Sequence, residues 1–116
     1  MVLNQKLRNK RIVITGASMG IGKAVALELA QQGASVVVNS RGANQAGANL
    51  LEQLTQHINA MNGVADYSYG DISDFNYAGE LIQLCCDRFG GIDGLINLAG
   101  IAEPEQSNIL NISPQD

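Results

Sequence analysis

The stretch TGASMGIG, residues 15–22, decides the fold. It follows a short β-branched run, RIVIT at 11–15, and leads into an amphipathic helical pattern. In that context Gly16 allows a sharp turn, Gly20 allows the backbone to approach a phosphate, and Gly22 allows a helix to pack closely on a strand. The N–H groups at the start of such a helix can bind a pyrophosphate. The stretch therefore predicts a dinucleotide-binding turn, and a glycine-rich turn that serves packing alone is the alternative.

Strand and helix patterns alternate through the rest of the chain. Short runs rich in β-branched residues predict strands, and apolar residues at helical spacing predict helices between them. The predicted strands are 11–15, 35–39, 64–69 and 94–98, and the predicted helices are 21–32, about 45–62, and a third that starts after Ser73 as its N-cap and ends at Gly90 and Gly91. The buried faces of these helices are expected on Ile21, Ala24, Val25 and Leu29, then on Gly47, Leu51, Leu54, Ile58 and Met61, and then on Tyr77, Leu81, Leu84 and Cys85.

This alternation predicts an α/β fold, a Rossmann-type parallel sheet in the strand order 3-2-1-4 with flanking helices, truncated after the fourth strand. Residues 101–116 form a polar segment with no periodic pattern. We therefore expect residues 1–116 to be the N-terminal fragment of a longer NAD(P)-binding domain. Its fourth strand, with Leu95, Ile96 and Leu98, is expected to leave an open apolar edge.

Charge and composition narrow the classes of function. All of the seven Lys and Arg residues except Arg88 precede residue 42, which favours a small anionic ligand near the N-terminal third and offers no extended basic surface to DNA. The adjacent Cys85 and Cys86 suit neither a disulfide framework nor a zinc site. The chain shows neither a signal-peptide pattern nor an apolar run of about 18 residues. We expect a cytoplasmic protein that binds no metal, nucleic acid or membrane.

Three groups of residues resemble the short-chain dehydrogenase/reductase family. The family motif T-G-x3-G-x-G is matched by residues 15–22, and the Asp that follows the third strand and holds the adenine is matched by Asp71. The N-N-A-G signature at the end of the fourth strand is similar to residues 97–100, where Leu98 replaces the second Asn. The resemblance runs from about Arg11 to Gly100. The cofactor contacts expected from the motifs and this resemblance are Gly16, Ser18, Met19, Gly20, Ile21, Gly22, Ser40, Arg41, Asp71, Ile72, Asn97, Ala99 and Gly100.

The end of the second strand bears on the choice of cofactor. An acidic residue there would accept the ribose hydroxyl of NAD, whereas this chain has Ser40 followed by Arg41. An arginine can bind the 2′-phosphate of NADP with two charge-assisted contacts. Some relatives that prefer NADP also carry a basic residue just before the second glycine, where this chain has Met19. The sequence therefore predicts NADP in preference to NAD, with a solvated surface arginine as the alternative.

The catalytic residues that the resemblance implies are absent. The family uses a Ser, a Tyr and a Lys four residues after that Tyr, but this chain has no Y-x3-K and no Lys after Lys23. These groups belong beyond the fourth strand, so the 116-residue chain alone is predicted to be inactive. We assign no catalytic role to His57, Tyr67 or Tyr69.

Two functions remain open at this point. The first is an NADP-dependent alcohol dehydrogenase or carbonyl reductase, a homo-oligomer in its full-length form, that transfers hydride to or from a small carbonyl or alcohol substrate. The second is a non-catalytic dinucleotide-binding or sensor module.

Overall fold

The computed structural model describes residues 5–18, 20–41 and 49–99. A 3-10 turn at Gln5–Leu7 precedes the main elements. These are β1 (Arg11–Thr15), α1 (Gly20–Gln31), β2 (Ser35–Ser40), α2 (Leu50–Ala60), β3 (Val64–Tyr69), α3 (Phe75–Phe89) and β4 (Gly94–Asn97). Each strand lies within one residue of its predicted bounds.

The four strands form one parallel sheet in the order β3-β2-β1-β4, as predicted. In the centre of the sheet Val13 pairs with Val37 on one side and with Leu95 on the other. This order places the glycine turn after β1 beside the ends of both β2 and β4. The chain has the α/β, Rossmann-like architecture that the alternating pattern predicted.

Two apolar layers hold the helices on the sheet. The side chains of Ile14, Val36 and Val38 face α1 and α2, and pack with Leu51 and Ile58 in one cluster. On the opposite face α3 packs its buried residues against a smaller cluster, consisting of Val13, Val37, Leu81 and Cys85. Because β1 and β2 lie between the two layers, their apolar residues are buried on both faces, as expected for central parallel strands.

Helix α1 buries a different face from the predicted one. Gly22, Ala26 and Ala30 are its buried residues, whereas the side chain of Ile21 is 59% exposed and Ala24 is exposed too. Residues four apart share a face of a helix, and small ones allow its axis to approach the sheet closely. Of the predicted residues, Leu29 does pack against the larger apolar cluster and Val25 is half-buried. The fully buried positions are the small ones, so the prediction, which followed the larger apolar residues, was rotated relative to the observed face.

The first turns of the other two helices also differ from expectation. The N-cap of α3 is Asp74 rather than Ser73, and its carboxylate accepts hydrogen bonds from the N–H groups of Asn76 and Tyr77. Helix α2 begins after Asn49, whose backbone is left-handed at φ 68°, and residues 45–48 of its predicted start lie outside the described residues. The hydroxyl of Tyr69 accepts the N–H of Leu51 there.

Strand β4 lies at one edge of the described sheet. Its residues alternate between half-buried and exposed, and the side chain of Leu95 is 50% exposed. Ile96 and Leu98 pack against the larger cluster. Part of the apolar surface predicted for this strand is therefore open to solvent, and part of it is covered.

Candidate dinucleotide-binding site

The glycine turn between β1 and α1 has the geometry of a phosphate-binding backbone. Gly16 and Gly20 both adopt left-handed backbone angles, with φ of 66° and 63°. A Cβ at Gly22 would come 1.9 Å from the carbonyl oxygen of Gly16, so the turn folds closely onto the start of α1. Among the described residues nothing lies within 4 Å of a Cβ placed at Gly20, so none of them blocks the approach to this backbone. The first N–H groups of a helix have no partners inside the helix. The turn therefore fits a bound pyrophosphate.

Thr15 fastens this turn to the end of β4. Its buried hydroxyl donates to Oδ1 of Asn97 over 2.6 Å and accepts the N–H groups of Leu98 and Ala99 over 3.0 and 3.3 Å. A Cβ at Gly16 would come 2.8 Å from the carbonyl carbon of Leu98. The residue after β1 and the residues after β4 are thus in close contact, and the predicted segment 97–99 lies against the glycine turn.

The ends of β2 and β3 bring Arg41 and Asp71 together. Ser40 is buried, and its carbonyl oxygen accepts the N–H of Gly70 over 2.9 Å, which joins the two strand ends. Nε of Arg41 lies 3.8 Å from Oδ2 of Asp71. The Arg41 side chain is 80% exposed. The two residues predicted to recognise the adenosine side of a cofactor therefore lie next to each other at the carboxyl edge of the sheet, the edge at which open α/β sheets bind ligands.

Asp71 is oriented by Ser73. The backbone N–H of Ser73 donates to Oδ1 of Asp71 over 2.9 Å, and its hydroxyl donates to the same oxygen over 2.8 Å. These bonds, the backbone one first, hold the pKa of Asp71 below its usual range, and the charge of Arg41 lowers it further. The carboxylate is thereby kept ionised, with Oδ2 directed to the side of Arg41.

The remaining predicted contacts divide into three groups. Ser18 is half-buried and Ile21 is exposed beside the turn. Ile72 directs its side chain into the smaller apolar cluster, so its part in cofactor binding would fall to its backbone. Met19 and Gly100 lie outside the described residues.

Four site residues were missed or under-used by reasoning from sequence: Thr15, Asn39, Ser73 and Tyr77. Thr15 belongs to the quoted motif, but a hydroxyl at a strand end gives no sign of its partners. Ser73 was assigned to capping because it stands before a helix, although the next residue performs that role. Asn39 interrupts an apolar run, and this was an available signal, because a polar side chain in a buried strand needs hydrogen-bond partners.

A groove of about 330 Å³ lies between α1 and α2. Of the predicted cofactor residues that the structure describes, only Ser18 lines this groove, so the groove lies apart from Arg41 and Asp71. His57 is exposed and is one of the residues that line this groove. Within the described residues no group of three His, Cys, Asp or Glu side chains could hold a metal ion, and no helix is long and apolar enough to cross a bilayer.

The fold and the turn define a dinucleotide-binding α/β protein, and the comparisons give its family. The family model for short chain dehydrogenases matches residues 10–116, so the chain belongs to that family. The Peroxisomal multifunctional enzyme A of Dictyostelium discoideum is 40% identical over 105 residues, 87% of this chain and 23% of that protein. An L-rhamnose 1-dehydrogenase (NAD(P)(+)) of Azotobacter vinelandii is 39% identical over 95 residues, 82% of this chain and 37% of that protein.

Solved structures agree with this assignment. A short chain dehydrogenase from Burkholderia cenocepacia J2315, solved in complex with NADP, superposes with a TM-score of 0.74 at 29% identity. The superposition covers 96% of this chain and 43% of that one. The chain thus spans less than half of the length of each of these relatives.

Proposed function

We propose that this chain is the cofactor-binding part of an NADP-dependent oxidoreductase that transfers hydride between the nicotinamide and a small carbonyl or alcohol substrate. The observation that carries the proposal is the backbone at Gly20, which is left-handed and has no described residue within 4 Å of a Cβ placed there, at the start of α1. A phosphate can approach a helix N-terminus at such a glycine without meeting a Cβ. The family supplies the reaction class, since its members named above include a dehydrogenase of a sugar.

The preference for NADP rests on the end of β2. Ser40 and Arg41 stand where an acidic side chain would favour NAD, and the Arg41 guanidinium is exposed to an incoming phosphate. The Burkholderia relative was solved with NADP, and the Azotobacter relative is named for both cofactors, which is consistent with this preference. The bound cofactor would supply the hydride to a carbonyl substrate, or accept it from an alcohol. The residues of this chain would bind its pyrophosphate through residues 16–22 and its adenosine side through Arg41 and Asp71.

The test is a pair of titrations of the full-length protein that carries this chain, with NADPH and with NADH, by isothermal titration calorimetry. We expect saturable binding of one molecule per subunit and a lower Kd for NADPH. If neither dinucleotide binds saturably, the proposal is overturned, and the glycine-rich turn serves packing alone. A lower Kd for NADH would overturn the NADP preference alone.

Activity separates an enzyme from a sensor module. The full-length protein is expected to oxidise NADPH in the presence of at least one compound from a panel of ketones and aldehydes. The isolated 116-residue chain is expected to show no turnover above a buffer blank, because it has no Y-x3-K to move a proton at the carbonyl oxygen. Turnover by the isolated chain would contradict this assignment of the catalytic residues. Binding without turnover by the full-length protein would favour the sensor module.

A further inference from the structure

Asn39 is a polar side chain enclosed within the sheet. It follows the valine run of β2 and is 1% exposed. Burying an amide without hydrogen bonds is costly, so its partners define why it is there. Its position, one residue before Ser40 and two before Arg41, brings it next to the end of β2 that leads to the Arg41–Asp71 pair.

The amide nitrogen of Asn39 is surrounded by four oxygens. Nδ2 lies 3.1 Å from the carbonyl oxygen of Ser68, 3.2 Å from that of Gly70, 3.2 Å from that of Ser40 and 3.0 Å from the hydroxyl of Tyr77. Two N–H hydrogens are shared among these acceptors. Three of the oxygens belong to the backbone at the ends of β2 and β3. The side chain therefore links the strand that leads to Arg41 with the strand that leads to Asp71.

The backbone of Asn39 adds a third connection. Its carbonyl oxygen accepts the N–H of Ala17 over 2.8 Å, and Ala17 lies inside the glycine turn. One residue thus contacts all three segments that would surround the pyrophosphate and the adenosine side of the cofactor. These are the turn after β1, the end of β2 and the end of β3.

Tyr77 holds this arrangement from α3. Its hydroxyl lies 2.7 Å from Oγ of Ser68 as well as 3.0 Å from Nδ2 of Asn39. Its ring lies directly over Gly70, where an added Cβ would come 2.2 Å from Cζ. The ring also packs against the smaller apolar cluster. Gly70 therefore provides the space through which the tyrosine reaches the strand ends.

We propose that Asn39, held by Tyr77, is a positioning residue that sets the distance between Arg41 and Asp71 and so the affinity for the adenosine side of NADP. The inference rests on the proposed function. Asn39 is expected not to touch the cofactor, because it is enclosed by the strand ends. It acts through the backbone of residues 40–41 and 70–71.

The experiment measures Kd and binding stoichiometry by calorimetry in the full-length protein, with NADPH and with adenosine 2′,5′-bisphosphate as the isolated adenosine side. Asn39→Ala is expected to raise both Kd values by about tenfold at unchanged stoichiometry, as the loss of one buried hydrogen-bonding group allows. Tyr77→Phe keeps the ring and removes only the hydroxyl. It is expected to raise both Kd values by about threefold.

Asn59→Ala is the matched control. The Asn59 amide also joins a helix to β3, since its Oδ1 accepts the N–H of Ala65 over 3.0 Å, but at the opposite end of the strand. This variant is expected to lower Tm while leaving both Kd values unchanged. A merely structural role for Asn39 would give the same pattern, with the folded protein binding as tightly as the wild type.

Each result decides the question. Unchanged Kd values in Asn39→Ala, with the wild type binding NADPH, overturn the inference and leave the proposed function intact. If Asn39→Ala does not fold, Tyr77→Phe decides, and an unchanged Kd in that variant overturns the inference. A wild-type protein that binds no dinucleotide overturns the proposed function and the inference together.

Discussion

Two arginine–aspartate pairs lie at opposite ends of the same sheet and differ in the distance and the number of hydrogen bonds between their side chains. At the amino end, Nε and Nη2 of Arg11 lie 2.8 and 3.2 Å from the two carboxylate oxygens of Asp93, and the backbone N–H of Arg11 donates to the same carboxylate. At the carboxyl end, Arg41 and Asp71 stand 3.8 Å apart, too far for a hydrogen bond. The first pair therefore joins two parts of the fold by direct hydrogen bonds, whereas the second pair does not.

Exposure follows the same division. The side chains of Arg11 and Asp93 are 32% and 29% exposed, against 80% and 46% for Arg41 and Asp71. A forked pair joined by several hydrogen bonds fixes the start of β1 against the turn before β4. A loose and exposed pair stabilises little and leaves its guanidinium able to turn toward a ligand. The same two residue types thus serve structure at one edge of the sheet and are suited to binding at the other.

The largest expected effect is at the loose pair. Arg41→Ala in the full-length protein should weaken NADPH binding by about ten- to over a hundredfold, the equivalent of about 1.5 to 3 kcal/mol for a charge-assisted contact with phosphate. NADH binding should stay nearly unchanged, because that cofactor has no 2′-phosphate. Titration calorimetry with both cofactors measures this, and Arg41→Lys is the control that keeps the charge. Equal losses for the two cofactors would mean that Arg41 supports the fold or the adenine site instead.

A second prediction concerns the firm pair and pH. Hydrogen bonds from the Arg11 side chain and backbone lower the pKa of Asp93 to about 2, against about 3.9 for an unfolded aspartate. A depressed pKa in the folded state stabilises the protein above the unfolded pKa, and this contribution is lost as pH falls through the folded pKa. Asp93→Asn should therefore lower Tm at pH 5 to 7.

The difference in Tm between wild type and Asp93→Asn should shrink between about pH 4 and about pH 2. Thermal melts followed by circular dichroism at several pH values measure it. Arg41→Ala is the control, because its loose ion pair is expected to leave Tm unchanged over the same range. A Tm difference for Asp93→Asn that does not vary with pH would show that the carboxylate charge is not the source of the stabilisation.

The smallest expected effect is on salt dependence. Because Arg41 is exposed, its contact with a phosphate should be screened, and the ratio of the NADH and NADPH Kd values should fall several-fold between about 0.05 M and about 0.5 M salt. The same change in salt should leave the ratio of the NADH and NADPH Kd values unchanged in the Arg41→Ala variant. A ratio that stays constant in the wild type would indicate a preference based on shape rather than charge.

The strands and their order were predictable because parallel strands that are buried on both faces consist of short runs of consecutive apolar residues. Val36, Val37 and Val38 are an example, and all three are fully buried. The glycine turn was predictable because left-handed backbone angles at Gly16 and Gly20 favour glycine and so leave a trace in the sequence. Features that depend on the conformation of single residues can thus be identified from sequence.

Features that depend on which groups meet in the folded chain could not be predicted in this way. The buried face of α1 was misplaced because close packing on a sheet favours Gly22 and Ala26, which hydrophobicity ranks below Ile21. Ser73 and Asp74 are both good N-cap residues, and only the contact of Ser73 with Asp71 decides between them. Asn39 within an apolar run indicates that its side chain needs hydrogen-bond partners, but the sequence does not identify Tyr77, 38 positions away, as one of them.

The contact between Gly70 and Tyr77 also restricts the order in which this chain can mutate. Any side chain added at position 70 would overlap the tyrosine ring, whereas a smaller residue at position 77 would relieve that overlap beforehand. Substitution of Tyr77 first and Gly70 second is therefore an accessible route, and the reverse order passes through a clashing intermediate. The two positions are expected to be epistatic, and their history in related chains is expected to run in one direction.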